Sequence, residues 1–451
     1  MKSLYFSLIF ATYVVLFVSC QDFLDVRPRA SVSDETTIVD LTSAQTALNG
    51  LYNALGASGY YSTSFPMIGY TSGDNVVYIG TLVYNSQFSR HTVQADNQTI
   101  LSFWRAAYKT INQANHVIEK VAALSSDAIT DGEKNRITGE AYFVRGLAYF
   151  DLVRVYGNVP IVLEPTASVS DKAGTGRNAA SEVYVQILDD LLRAESLLPD
   201  NVNRVRATKK TSQALLSRFY LYQENWEETI KYASEIISDR SNYELVYPYS
   251  AWFADDVVQT KESVFEIAYS TLFLNDNRND WQPATRGGGR RIVPTDEYIT
   301  LVNDPTIGGG RKALLETTST GLWFGNLYYR SPATDPSYVL RLAEIYLNRA
   351  EAYANLGGTS NLALALADLN AVRNRADLPN LSLATKADVL LAIENERRLE
   401  FGLEPHRWFD LVRTRRAQEV LQITDPNKLL LPVPIEEIII DDALEPQNPG
   451  Y

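Results

Sequence analysis

The sequence predicts a mainly α-helical fold joined to an irregular, loop-rich region with short β-strands. Three observations carry that reading. Apolar residues recur three and four apart in ten segments, the period of a helix with one buried face. Two long stretches, residues 58–98 and 239–337, lose that period and fill with Gly, Ser, Thr, Asn and aromatic residues. A chain of 451 residues, 45% apolar and 21% charged, also supplies enough material for a large core.

Taken from the N-terminus, Lys2 precedes residues 4–18, which are apolar but for Ser7 and Thr12. This stretch is shorter than the roughly 20 residues of a membrane-spanning helix. It reads as a secretory signal peptide ending at residue 19. Its end, Phe17-Val18-Ser19-Cys20, resembles a bacterial lipobox, with Phe17 where Leu is usual. Cys20 is the only cysteine of the chain and is expected to carry the lipid. Residues 20–42 are then a tether and lead-in, and residues 43–451 a single domain with no disulfides.

The helices follow in order. Ala44, Leu48, Leu51 and Leu55 mark the first, with Thr42 or Ser43 available to cap it. Trp104 to Val121 marks a longer one, and Ala141 to Val155 a third, stopped by Gly157-Asn158 and Pro160. Val183 to Leu198 ends before Pro199. Ala214 to Leu221 and Trp226 to Ile237 form a close pair. After the second long stretch, helices are expected at about 338–356, 361–376, 386–403 and 406–418. Short connections predict that consecutive helices pack together. Two pairs, residues 216–237 and 346–369, share small and aromatic residues on the first helix, a short turn and an Ala-bearing second helix. That is the general look of tetratricopeptide-like hairpins, although no strict period survives.

The scaffold is thus about 43–238 and 338–418, and the inserts are about 58–98 and 239–337. The first insert holds Tyr60, Tyr61, Tyr70, Tyr78 and Tyr84. The second holds Trp252, Trp281 and Trp323, two glycine triplets and strand-like runs such as residues 263–269. Long loops on a rigid scaffold are where binding residues tend to sit.

Composition excludes several functions. With 41 basic and 54 acidic residues the formal net charge is −13, which lacks the basic footprint of a nucleic-acid binder. His91, His116 and His406 are the only histidines, too few for a multi-histidine metal site. Gly308-Gly309-Gly310-Arg311-Lys312 lacks the spacing and the Ser or Thr of a phosphate loop. No cofactor is expected.

Short motifs in a fixed order add a resemblance. They begin with Cys20-Gln21-Asp22-Phe23-Leu24-Asp25 and Leu48-Asn49-Gly50-Leu51-Tyr52. A longer run follows, Gly139-Glu140-Ala141-Tyr142-Phe143-Val144-Arg145-Gly146, continuing to Tyr156-Gly157-Asn158-Val159-Pro160. Then come Asn348-Arg349-Ala350-Glu351-Ala352-Tyr353, Glu396-Arg397-Arg398-Leu399-Glu400, His406-Arg407-Trp408-Phe409-Asp410-Leu411 and Leu431-Pro432-Val433-Pro434. Together these resemble the SusD/RagB family of outer-membrane nutrient-uptake lipoproteins. Pro405 stands where that family often has Gly. The resemblance implies a SusD-like helical scaffold. It implies a lipid-anchored, surface-exposed protein of the outer membrane that binds a glycan, or in some relatives a peptide. The implied partner is a SusC-like TonB-dependent transporter, on which the protein docks as a lid.

Two sets of residues are candidates for chemistry. Glu396, Glu400 and Glu404 share one helix face, as an acid/base pair of a glycosidase would. Nearby arginines favour a structural ion-pair network, because they would hold the carboxylates ionised where a general acid needs a raised pKa. The expectation is therefore a non-catalytic binding protein. An exported glycan hydrolase, or a transporter lid with no ligand of its own, are the alternatives. Aromatics beside Asp or Asn in the inserts suit sugar binding, since ring faces stack on pyranose C–H faces while polar neighbours meet the hydroxyls. On that basis the candidate ligand residues are Asp74, Asn75 and Tyr78 on the first insert and Trp281, Trp323 and Tyr328 on the second. For each, burial as a plug beneath its loop is the competing role. Three arginines around Gly287-Gly288-Gly289 read as a solvated loop, with contact to an acidic sugar as the functional alternative.

Overall fold

The structure is a computed structural model that describes residues 38–166, 174–255 and 257–451. The signal segment, Cys20 and most of the lead-in lie outside the described residues. Helices dominate, as the apolar periodicity predicts.

The first helix, α1 (Leu41–Leu55), begins on a reciprocal cap: the Asp40 carboxylate accepts from the Ser43 N–H, and Ser43 Oγ accepts from the Asp40 N–H. A short helix, α2 (Ser64–Thr71), lies within the first insert. Two long helices follow, α3 (Gln98–Ala123), capped by Asn97, and α4 (Asp131–Tyr156), capped by Thr130. Helix α4 stops at Gly157, whose φ of 74° suits glycine. Next come α5 (Ala180–Leu197), α6 (Lys209–Tyr222) and α7 (Trp226–Ile237). The C-terminal set is α8 (Leu342–Leu356), α9 (Thr359–Arg375), α10 (Lys386–Glu400) and α11 (Arg407–Arg413).

Neighbours in sequence are neighbours in space: α3 packs on α4, α4 on α5, α5 on α6, α6 on α7, and α8 on α9 and α10. Helix α7 also packs on α8, so the two look-alike hairpins stack directly although the second insert separates them in sequence. Helix α4 is buried on every side from Ile137 onward, which explains its motif. A Cβ at Gly139 would sit 3.0 Å from Leu198 Cγ, and one at Gly146 would sit 3.1 Å from Leu191 Cδ2. The two glycines let α5 approach. Between them in the motif's reach, Arg145 makes a two-pronged contact to Asp190 at 2.9 and 2.6 Å.

The strands form three antiparallel two-stranded ribbons. Strand β1 (Val76–Tyr78) pairs with β3 (Ile292–Pro294), and this ribbon joins the first insert to the second. Strand β2 (Ser263–Ile267) pairs with β6 (Ser337–Arg341), and β4 (Leu315–Thr317) with β5 (Trp323–Gly325).

Two boundaries differ from expectation. The segment expected to open a helix at 338 is strand β6, and α8 starts at Leu342. All five β6 residues are buried, so the run has no period to separate strand from helix. The expected helix 406–418 breaks after Arg413 because Arg415 takes a φ of 61°. The inserts are also less irregular than their composition predicts. Besides α2 they carry short helices at Val83–Ser89, Asn277–Trp281 and Asp296–Asn303.

Candidate functional site

The three glutamates of the possible acid/base face are structural. Arg341 contacts Glu404, Glu400 and Glu262; Arg311 contacts Glu396 at 2.6 Å and Glu400 at 2.9 Å; Arg375 bridges Glu262 and Glu400. All of these groups are buried. Burial alone would raise the Glu400 carboxyl, but Arg375, Arg311 and Arg341 outweigh it and hold it at about 2. Burial raises the Glu404 carboxyl despite Arg341, but both it and Glu400 are closed off from solvent, so neither is placed to donate a proton to a glycosidic oxygen. Arginines near these glutamates in sequence serve other partners: Arg397 meets Asp410 at 2.8 Å, and Arg413 meets Glu351 at 2.6 Å.

The six candidate ligand residues separate sharply. Asp74 is gripped by Arg407 at 2.7 and 3.0 Å and by Arg398 at 3.1 Å. Burial opposes ionisation there, yet the Arg407 contact prevails and its carboxyl lies below the ordinary value. Asn75 is buried, donates to the Arg398 carbonyl and accepts from Arg398 Nε, each at 3.0 Å. Tyr78 is buried over Gly80, where a Cβ would lie 2.4 Å from the Tyr78 oxygen. Trp281 is fully buried, edge-on to Tyr70 at 5.3 Å, and its ring fills the space over Gly325. Tyr328 is buried too, its hydroxyl 3.2 Å from that of Tyr70. Asn75, Tyr78, Trp281 and Tyr328 are buried, and the partly exposed Asp74 is held by two arginines. They pack or pin the inserts. Trp323, like Asp74, is half-buried, and its carbonyl accepts from Arg290 Nε at 2.9 Å.

The tyrosine excess of the first insert has the same explanation. Tyr60 and Tyr61 donate to the buried Asp151 of α4 at 2.8 and 2.9 Å. Their hydroxyls anchor the insert on the scaffold, and burial pushes both phenols well up.

The residues that do meet around an opening come from both inserts. A cavity of about 320 Å³ lies between α2, the Val83–Ser89 helix, the first turn of α3, and the Asn277–Trp281 helix. Its apolar members are Met67, Leu82 and Tyr84. Its polar members include Thr63, Ser64, Gln98 and Ser102 on one side, and Asp276, Asn279, Asp280 and Arg291 on the other. The lining is held in place. Thr99 Oγ1 donates to Asn85 at 2.6 Å, Ser58 Oγ donates to Asp276 at 2.5 Å, and Arg291 pairs with Asp280 at 3.0 Å. Burial raises the Asp280 carboxyl, with Arg291 opposing. The Asn279 side chain is exposed and makes no hydrogen bond among the described residues. A cavity of this size, rimmed by one aromatic and by donors and acceptors of both kinds, suits a small polar ligand.

None of these lining residues was among the six candidates. The rule that chose Tyr78, an aromatic beside Asn in an insert, applies equally to Tyr84-Asn85. The run Asp276-Asn277-Arg278-Asn279-Asp280 was a second available signal. A larger cleft of about 640 Å³ lies at the ends of α6, α7 and α8, but its core charges, Arg413, Arg397, Glu351 and Asp410, satisfy one another.

Comparison with known proteins places the chain. Residues 22–221 match the SusD-like family described as starch-binding, associating with the outer membrane, and residues 327–428 match the SusD family. SusD-like protein P2 of Formosa agariphila is 26% identical over 98% of this chain and 99% of its own length. Starch-binding protein SusD of Bacteroides thetaiotaomicron is 24% identical, over 64% of this chain and 66% of its own. A solved SusD superfamily protein from Bacteroides vulgatus superposes with a TM-score of 0.82 at 20% identity, covering 91% of this chain and 99% of that one. A laminarin-binding SusD-like protein superposes with a TM-score of 0.80 at 25% identity, covering 92% and 100%. The stacked hairpins, the ordered motifs and these matches agree: the chain belongs to the SusD/RagB family.

Proposed function

We propose that this protein is a non-catalytic glycan-binding lipoprotein of the outer membrane. It captures an oligosaccharide or polysaccharide in the cavity between its two inserts and passes it to a partner TonB-dependent transporter of the SusC type. The observation that carries the reading is the cavity itself, where Tyr84 lies among hydroxyl, amide, carboxylate and guanidinium groups. Relatives named for starch and laminarin binding support the ligand class. The anchor is Cys20, which leaves the domain at the cell surface on a lipid leash.

Asp276 and Asp280 both line the cavity, and two carboxylates are what a glycosidase needs. Burial raises the Asp280 carboxyl while Arg291 at 3.0 Å opposes it, so its charge does not decide between the roles, and the relatives named for starch and laminarin binding favour binding. Binding without cleavage is the reading those relatives support.

The test is isothermal titration against laminarin, starch and a peptide digest, with a reducing-sugar assay alongside. Tyr84→Ala is expected to weaken glycan binding about three- to tenfold, the range of one aromatic contact. Asn279→Ala should weaken it by a similar factor through lost hydrogen bonds. Release of reducing ends would make the protein a hydrolase, and binding of peptides alone would move the ligand to another class.

A further inference from the structure

The loop behind the cavity carries a charge pattern that the proposed function leaves unused. Residues 276–291 hold four arginines against two aspartates, in a chain whose formal net charge is −13. Arg291 is paired with Asp280 and Arg286 with Glu316. Arg278 and Arg290 have no carboxylate within ion-pair distance among the described residues. Each is instead held by a neutral acceptor. Arg278 Nη2 donates to the Arg286 carbonyl at 2.6 Å, while its buried Nε has no hydrogen-bond partner. Arg290 Nε donates to the Trp323 carbonyl at 2.9 Å.

A carbonyl orients a guanidinium fork without cancelling its charge. Both side chains are half-buried, so solvent compensates them only in part. Burial pushes the Arg290 guanidinium down from its ordinary value, with no acidic neighbour opposing it. The remaining N–H groups of a fixed, planar fork suit the two-pronged recognition of a carboxylate or sulfate.

The backbone carries these arginines on the two segments that line the cavity. Gly289 N–H donates to the Asn279 carbonyl at 2.7 Å, Arg290 N–H to that of Gln282 at 2.8 Å, and Arg291 N–H to that of Asp280 at 2.7 Å. The loop therefore folds back along the Asn277–Trp281 helix. The fold-back leaves no room at Gly288, where a Cβ would lie 2.2 Å from the Gln282 oxygen, and it sets Arg290 at a φ of 44°. Neither arginine lines the cavity itself: Arg278 lies on the helix between the cavity residues Asp276 and Asn279, and Arg290 lies next to the cavity residue Arg291, beyond its rim.

We infer that the glycan is anionic, and that Arg278 and Arg290 receive carboxylate or sulfate groups on sugar units adjoining the one seated in the cavity. Trp323, a half-buried residue whose carbonyl accepts from Arg290, lies beside that strip. The inference rests on the cavity being a glycan site.

The test uses the purified full chain in isothermal titration with three probes: polygalacturonate for carboxylate, κ-carrageenan for sulfate, and laminarin as a neutral polymer. An anionic probe is expected to bind more tightly than laminarin, with affinity that falls as sodium chloride rises. The Arg278→Gln, Arg290→Gln double variant should lower anionic affinity about tenfold or more and flatten the salt dependence. Arg290→Lys, which keeps the charge but loses the fork, should fall between the two. Circular dichroism checks folding, and Arg290→Gln alone serves if the double variant does not fold. Preference for laminarin, or anionic binding that the arginine variants leave unchanged, overturns the inference. Laminarin binding that is lost in Tyr84→Ala would in that case keep the cavity reading standing. Failure of all three polymers to bind overturns both.

Discussion

At the scale of the residue, the aromatic side chains divide by what lies beneath them. Trp281 fills the space over Gly325 and lies edge-on to Tyr70, whose hydroxyl meets that of Tyr328. Truncating a fully buried tryptophan loses its transfer free energy and leaves a cavity, together about 3–5 kcal/mol. Trp281→Ala is therefore expected to lower the unfolding free energy measured by denaturant titration by that amount. A near-neutral effect on stability would show that its ring is not structural. The sequence could name which insert residues were aromatic, but not which were buried. Burial here is set by partners far along the chain, such as Gly325 beneath Trp281 or Asp151 beneath Tyr60. Tyr84 and Tyr78 look alike in local sequence, and only the surrounding fold makes one a cavity wall and the other a plug.

At the scale of the element, the helices were legible wherever one face was apolar or a cap was present. Asp40, Asn97 and Thr208 each accept a backbone N–H at the start of a helix. Helix α4 needed more than periodicity, since it is buried all round and was recognised by its glycine-bearing motif. That motif makes a prediction. Gly146→Leu would push a side chain into Leu191 and Asp190, which already lie within 3.4 Å of an added Cβ. Overpacking of this kind costs about 1–3 kcal/mol. Displacing Asp190 would also loosen its buried contact with Arg145. Thermal melts should show a clear drop for Gly146→Leu and a smaller one for Gly146→Ala. Gly50→Ala, where nothing lies within 4 Å, should be neutral or stabilising. Strand β6 was not legible, because an all-buried run has no alternation and its partner β2 is distant in sequence.

At the scale of the whole molecule, buried ion pairs tie segments that composition alone would leave independent. Arg341 on β6, Arg311 and Glu262 in the second insert, Arg375 on α9 and Glu400 on α10 form one network. Arg218 joins α6 to α8 through Glu344 at 2.6 Å. These pairs make stability fall with acid. Burial holds the His406 imidazole down at about 3, so the unfolded chain binds its proton first as pH drops below about 6.5. Despite burial, arginines hold Glu400 and Glu344 at about 2, so their contribution is lost between about 4.5 and 2. Burial raises Glu404, Asp151, Glu140, Asp190, Glu266, Asp280 and Asp368, and Asp335 to about 6; these act in the opposite sense and make the decline shallower. The melting temperature should therefore decrease steadily from pH 7 to pH 3, and His406→Gln should flatten the upper part of that range. A melting temperature as high at pH 4 as at pH 7 would contradict this account.

The ribbon of β1 and β3 has a consequence for how such binding specificities diversify. Thr295 reaches back to the Asp74 carbonyl across 221 residues of sequence, and the cavity takes one wall from each side of that gap. A recombination event that imports one insert from a relative brings only half the lining of the proposed site and a mismatched strand edge. On the proposed reading, new specificity is acquired by exchanging both segments together, or by point changes in the cavity lining, such as at Tyr84 and Asn279, that leave the ribbon intact.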